Sequence, residues 1–435
     1  MDLLFFLACL APCLNATTLR RLARVVAALL TMTGRVTMLG ISRWTEAGGS
    51  YRTVQRFFNT LIPWEKVQWH LIRRHLMRVP CVILLTADEV VTPKAGRHTH
   101  GIGRFFSSIY GKPLPSLCHL CLSLTSVNDR VSYPVMTLPV IPPEKPPTAP
   151  SRPTVKRGRG RPKGSRNQVR TEVELTAFQR FLRDAIQALQ VLVGADLPLL
   201  YFVYDGALGH NAGVQLVRHC GLHLISKLRH DSALYFPYEG LQSGRGPRKK
   251  YGARLDYGQL PEHFRKFSVV EDNLRTDIYQ MSLRHKKFTE LLNVVIIIKT
   301  NLKTLKSAHV LLFSSDLALA WNELMDYYSL RFQIEFNFRD AKQFWGLDDF
   351  MSVNERPAIN AANLAFFMVN VSHLLRRQTK FVGMSIIDLK AWFRAGKYVR
   401  ETLKWLPQIP EPISIDAIVR QVASLGRVNL PEPVV

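Results

Sequence analysis

The sequence predicts an α/β protein with a basic helical region at its start, a core of β-α-β units, and a strand-rich insertion ahead of a long helical segment. Three observations carry this. Residues 1–78 place apolar side chains at helical spacing among many Arg and Lys, with little β-branched clustering. Two apolar, β-rich runs, VILLTADEVV from Val82 and LLYFVYD from Leu199, each lead to a carboxylate, Asp88 and Asp205. Across residues 235–313, short β-like runs alternate with basic loops, and helical periodicity resumes only at Ala318.

Composition narrows the function. The 435 residues carry 58 Lys and Arg against 33 Asp and Glu, a formal charge of +25, and 47% of them are apolar. That apolar share argues against disorder, and the charge excess points to a polyanionic partner, because each phosphate contact releases condensed counterions. The opening run MDLLFFLACLAPCL carries Asp2 where a signal peptide has Lys or Arg, and its pattern continues through Leu19, Leu22, Val26 and Leu30. A packed helix is therefore expected. Apolar stretches such as 294–298 fall short of the roughly 20 helical residues that cross a bilayer, so a soluble, cytoplasmic protein with no membrane contact is expected. Cys118 and Cys121 form a C-x-x-C inside LCHLCLSL, without a second such pair. They read as buried thiols in a strand rather than zinc ligands, and a reducing compartment fits.

Each element follows in order. In the helical domain, 1–78, the segment SYRTVQRFF at 50–58 fits both a helix-turn-helix on DNA and a basic helix packed on a neighbour. The first part of the core, 79–230, opens with a strand whose exposed end carries Asp88, followed by a strand near 117–124. A Pro/Arg-rich loop is expected over 134–170, since repeated prolines deny the backbone donors that helix or sheet needs. Within it, RGRP at 159–162 resembles an AT-hook core. Arg159, Arg161 and Lys163 could enter an A·T minor groove or tether DNA without specificity, and both readings stay open. A helix over 172–192, the strand to Asp205, a turn loosened by Gly206 and Gly209, a helix over 212–220 and a strand over 223–228 complete the β-α-β pattern. The insertion, 231–313, carries the basic loop RGPRKKYGAR at 245–254. Core completion over 314–380 supplies a helical stretch from Ala318 past Lys342 and a helix over 358–376, and 381–435 forms a C-terminal region.

The most specific signal is YYSLRFQIEFNFRDAK, residues 327–342. Tyr328, Arg331, Glu335 and Lys342 follow Y-x2-R-x3-E-x6-K, and at about 100° per residue they fall within an arc of about 60° on one helix. A carboxylate for a hard cation then shares a face with groups that grip phosphates. An ordinary solvated face with an i,i+4 Arg331–Glu335 pair fits the same spacing. Asp88, Asp205 and Glu335 can converge on two divalent ions, one activating the attacking oxygen and one stabilising the leaving oxygen. His98 and His100 read as phosphate contacts or packing rather than metal ligands.

With TADEVVTPKAGRHTHGIGRFFSS around Asp88, YDGALGHNAG around Asp205 and the Tyr328, Arg331, Glu335, Lys342 segment, the sequence resembles a bacterial insertion-sequence DDE transposase of the Y-R-E-K group, the insertion-sequence-four family. The resemblance implies a ribonuclease-H-like catalytic core with a β-rich insertion before the helix of the catalytic glutamate. It implies that Asp88, Asp205 and Glu335 hold two Mg²⁺ ions, with Mn²⁺ as a substitute. Tyr328, Arg331 and Lys342, with Arg104 from the first motif, would contact DNA. Cleavage at terminal inverted repeats through a hairpin, strand transfer into target DNA, a homodimer on DNA and a place at the bacterial nucleoid are implied too. Many relatives carry a second Asp where this chain has Glu89. A fold retained without catalysis and a nuclease without strand transfer are the alternatives.

Overall fold

The computed structural model describes residues 3–45, 49–77, 81–107, 110–142, 173–241, 244, 246–404 and 412–424. Five helices open the chain: α1 (Leu3–Leu7), α2 (Ala16–Thr31), α3 (Met38–Trp44), α4 (Tyr51–Asn59) and α5 (Trp64–Leu71). Asn15, Thr37 and Ser50 begin α2, α3 and α4 by accepting a hydrogen bond from an otherwise unpaired first-turn N–H.

Four strands follow: β1 (Ile83–Pro93), β2 (Gly103–Ser107), β3 (Lys112–Ser126) and β4 (Val131–Pro139). Then come α6 (Ala177–Val193), β5 (Tyr201–Val203), α7 (Asn211–His219) and β6 (His223–Leu228). The strand-rich stretch supplies β7 (Leu234–Pro237), β8 (Tyr251–Arg254), β9 (Arg265–Glu271), β10 (Leu274–His285), β11 (Leu291–Asn301) and β12 (Ser307–Ser314). The chain continues through α8 (Trp321–Leu330), α9 (Gln333–Trp345), α10 (Glu355–Arg376), α11 (Ile386–Leu403) and α12 (Pro412–Ser424).

All twelve strands join one mixed sheet in the order β2-β3-β1-β5-β6-β12-β11-β10-β7-β8, with β4 on β3 and β9 on β10. Among the described residues only the β1–β5 and β5–β6 pairs are parallel; the other pairings are antiparallel. The expected insertion is therefore continuous with the central sheet, because β12 pairs directly with β6. One face of the centre packs on α8 through Leu84, Val203, Leu324, Tyr327 and Leu330. The opposite face, with Leu85, Ala87 and Phe202, joins a core shared with the N-terminal helices, α6, α7 and α10.

Several expectations change. Residues 134–139 form the end of β4 rather than a loop; Pro134 is accommodated at a register shift in the β3–β4 ladder. The loop's remaining expected residues from 143 onward, with Arg159, Arg161 and Lys163, lie outside the described residues. The helix expected from 172 starts at Ala177, where Thr176 and Gln179 form a capping box. Gly209 does more than loosen its turn: an added Cβ would lie 2.2 Å from the Lys227 carbonyl oxygen, so the turn after Asp205 presses onto β6. One helix, α10, is long and apolar enough to cross a membrane by composition, contrary to the sequence reading, but 78% of its apolar window is buried within the fold.

Helix α10 carries buried asparagines that bind the layers together. Asn360 accepts from the Trp64 indole at 2.8 Å and donates to the Phe58 and Thr60 carbonyls at 2.7 and 2.8 Å. Asn370 donates to Gln68 and to the Pro134 carbonyl, each at 2.7 Å. Asn360→Ala would leave two buried partners and one half-buried one unpaired, so a loss of about 2–4 kcal/mol is expected in urea unfolding. Replacing exposed Val191 by Ser should change stability by less than about 0.5 kcal/mol. A cost for Asn360→Ala no larger than that of the Val191 control would refute the role given to this network.

Candidate active site

Strand β1 is flanked by a parallel neighbour that stops early. Leu85 is level with Phe202 and Thr86 with Val203, and there β5 ends. Asp88 lies two residues past the last β1–β5 pair and Asp205 two residues past the end of β5, near enough for the Asp205 carboxylate to act on Asp88. Side chains alternate along a strand, so Asp88 falls on the face that Leu84 presents to α8. Asp88 is not at a strand end, as the sequence suggested. β1 runs on to Pro93 against β3, and Asp88 sits opposite Cys121. The break that exposes its carboxylate is the end of β5.

The Tyr328 to Lys342 segment is likewise not one helix. Regular α-hydrogen bonding stops after Leu330, and α9 begins at Gln333. Between them the backbone tightens: Arg331 N–H bonds to the Tyr328 carbonyl, Phe332 to Ser329 and Glu335 to Phe332. This turn aims Arg331 at β1. Its Nη1 lies 2.9 Å from Asp88 Oδ2 and its Nη2 3.7 Å from Glu335 Oε1. A single guanidinium thus spans carboxylates from a strand and a helix. The i,i+4 pair expected on a solvated face is present, but one of its members is mostly buried and serves a second acid. Arg331 Nε is buried without a hydrogen-bond partner.

The remaining acid completes the cluster. The Asp205 side chain caps the turn of Gly206–Leu208 by accepting from Ala207 N–H at 2.9 Å, and Ser226 fixes its carbonyl at 2.6 Å. Burial raises the Asp88 carboxyl above its ordinary range. The Glu89 N–H and Arg331 pull it down, while the Asp205 and Glu335 carboxylates push it up. Tyr328 lies against Arg331, and burial raises its hydroxyl, with Asp205 adding to the rise. Lys342 turns back to donate to the Val91 carbonyl at 2.8 Å.

Other expected contacts lie elsewhere. Arg104 is exposed on edge strand β2, and its guanidinium donates to the Pro113 carbonyl at 3.1 Å. His98 is exposed, and His100 stands 3.8 Å from Glu355. Cys118 and Cys121 are buried thiols, each pushed up to about 12 chiefly by burial. Sequence reasoning missed a pair behind the aspartates: Tyr204 donates to Glu89 at 3.1 Å. Each follows or precedes an aspartate by one residue and so faces the other side of the sheet. Adjacency to Asp88 and Asp205 was the available signal.

A family model described as DDE superfamily endonuclease matches residues 9–286. The chain belongs to the DDE superfamily endonucleases. The matched stretch includes Asp88 and Asp205 and ends ahead of Glu335. No curated protein matches the sequence. Membership makes the chain an enzyme of the nuclease or transposase kind, with DNA as the substrate its family implies.

Members of such a family typically use divalent metals. In this DDE endonuclease the all-oxygen donor set of Asp88, Asp205 and Glu335 suits a hard cation. Among the described residues, however, no three His, Cys, Asp or Glu side chains stand close enough to hold one ion. Both Asp88 oxygens are turned to protein donors, Arg331 and the Glu89 N–H.

The raised Asp88 gives a signed expectation. The folded state holds this proton more tightly than the unfolded chain, whose ordinary value is 3.8. Stability from it is full below that value and is lost as pH rises through the raised one. With chelator present, Asp88→Asn should therefore gain on the wild type between pH 4 and pH 7.5 in urea melts. A gain that shrinks over that range would contradict the stated electrostatics.

Proposed function

We propose that this DDE endonuclease is a cut-and-paste transposase of the insertion-sequence-four type, built on a ribonuclease-H-like core. The strand order β4-β3-β1-β5-β6, antiparallel then parallel about β1, supports that core. The observation that carries the function is the Arg331 guanidinium reaching both Asp88 and Glu335 while Asp205, just past the end of β5, acts electrostatically on Asp88. Asp88, Asp205 and Glu335 come from three distant parts of the chain and act on one another electrostatically, with Arg331 the cation placed between two of them.

In this reading Asp88, Asp205 and Glu335 hold two Mg²⁺ ions, or Mn²⁺ in their place. Held by these carboxylates, such ions would supply activation of an attacking water or 3′-hydroxyl and stabilisation of the leaving oxygen. Arg331 releases Asp88 and turns its guanidinium, whose Nε has no present partner, to a backbone phosphate. Tyr328 stands beside it to orient that phosphate. Lys342 has donors to spare beyond Val91 for a neighbouring one. The raised Glu89, held by Tyr204, keeps a second carboxyl behind the aspartates.

The substrate would be the terminal inverted repeats of the element, opened through a hairpin and joined to target DNA by a homodimer in a bacterial cytoplasm, at the nucleoid. We assign 1–78 to DNA binding, 79–230 and 314–380 to the core, 231–313 to the insertion and 381–435 to a C-terminal region. Arg104, Arg159, Arg161 and Lys163 would add DNA contacts outside the carboxylate cluster.

Purified protein with Mg²⁺ should nick DNA carrying the terminal repeats of its own element. Asp88→Asn, Asp205→Asn or Glu335→Gln should each lower cutting by a factor on the order of 10³ or more, with gel-shift binding nearly unchanged. Equal cutting by wild type and variants would reject the assignment. Cutting without joined products would leave a nuclease lacking strand transfer. Separately, replacing Arg159 and Arg161 by Ala should reduce the slope of log affinity against log salt by about 2. An unaltered slope would remove that segment from the DNA interface.

A further inference from the structure

A cavity of about 430 Å³ opens where α2 and α3 meet α11 and α12, on elements that bear none of the three carboxylates. Its size falls in the range of about 300–1,000 Å³ that encloses small ligands. Its walls combine indoles with cations. Trp44 and Trp392 line it together with Arg20, Arg24, Lys380, Lys397 and Arg400, against the single acid Asp416.

The charges are not equally committed. Lys380 lies 3.5 Å from Asp416 and 4.5 Å over the Trp392 ring, so the one acid is already answered. Lys397 donates to the Trp44 carbonyl and fixes the end of α3 to α11. Arg20 and Arg400 are exposed and have no ion-pair partner among the described residues. The floor carries a second signal. Gly396 stands in the interior of α11, where glycine is costly relative to alanine. An added Cβ there would meet Arg400 and Val419 only at ordinary contact, 3.7 and 3.8 Å. Backbone crowding does not demand the glycine; its effect is to leave the cavity open above the helix.

We propose that this cavity binds one unpaired nucleotide of a DNA strand, with the base against Trp392 or Trp44 and the 5′-phosphate between Arg20 and Arg400. A planar apolar ring carrying an anion satisfies both halves of the lining. The site is separate from the carboxylate cluster and does not depend on its chemistry.

The test uses the full chain and a fluorescent, 5′-phosphorylated single-stranded tetranucleotide containing 5-iodouracil. Irradiation should crosslink it to the peptide of Trp392 or Trp44, with equal yield in Asp205→Asn, which separates this site from the proposed catalysis. Gly396→Leu fills the cavity and Arg400→Gln removes the phosphate partner; each should weaken anisotropy-measured binding about tenfold. A melting curve checks that Gly396→Leu folds, and exposed Arg400 decides the matter if it does not. Crosslinks confined to other peptides, or unchanged affinity in Arg400→Gln, would overturn the proposal. Displacement by an equal concentration of thymidine monophosphate would transfer the site to free nucleotides and overturn the DNA assignment; failure to displace supports it.

Discussion

Acids brought together from a strand and a helix need an opposite charge between them, and in this protein Arg331 supplies it for Asp88 and Glu335. Its guanidinium reaches Asp88 at 2.9 Å and Glu335 at 3.7 Å, from a turn that interrupts what would otherwise be a continuous helix. Mutual repulsion of carboxylates at such spacing is opposed by an opposite charge that is itself mostly withdrawn from water. Tyr328 lies against the same guanidinium, and Asp88 still sits above the ordinary carboxylate range. The fold therefore holds its acids in an arrangement that is tolerated rather than stabilising, as sites held for function commonly are.

What holds those acids in place is the sheet. The parallel β1–β5 pair leads both chains toward the two aspartates, and the early end of β5 uncovers one edge of β1 beside Asp88. Behind the sheet, α10 fixes the N-terminal helices and β4 through Asn360 and Asn370. At the far end of β1, the Lys94 ammonium donates to the Leu347 and Asp348 carbonyls, and burial lowers its pKa to about 8. The same loop meets the N-terminal region: Asp349 accepts from Val36 N–H at 2.9 Å, and Gly346 is left-handed, with room for no Cβ against Val36. Helical region, sheet and Glu335 helix are thus tied at both ends of the site.

Much of this was legible in the sequence. Residues 223–228 read as a strand and are β6, and 294–299 and 309–313 read as strands and lie in β11 and β12, because local alternation and β-branched runs report local conformation directly. The β4 strand was hidden by Pro134, since a proline argues for a loop unless a bulge in the ladder accommodates it. The core role of α10 was hidden by its asparagines, which break an apolar run yet reach partners in distant segments.

The sequence by itself determined which residues could do chemistry: two aspartates after apolar strands, and a spaced Tyr, Arg, Glu and Lys. Residue type and local periodicity are properties of short segments, and so they survive without a fold. Tertiary structure alone decided that Asp88 lies mid-strand beside a neighbour that stops, that the helix breaks at Arg331, and that Glu89 pairs with Tyr204 on the opposite face. Those facts depend on register between strands and on which charge meets which across hundreds of residues, and no local pattern encodes them.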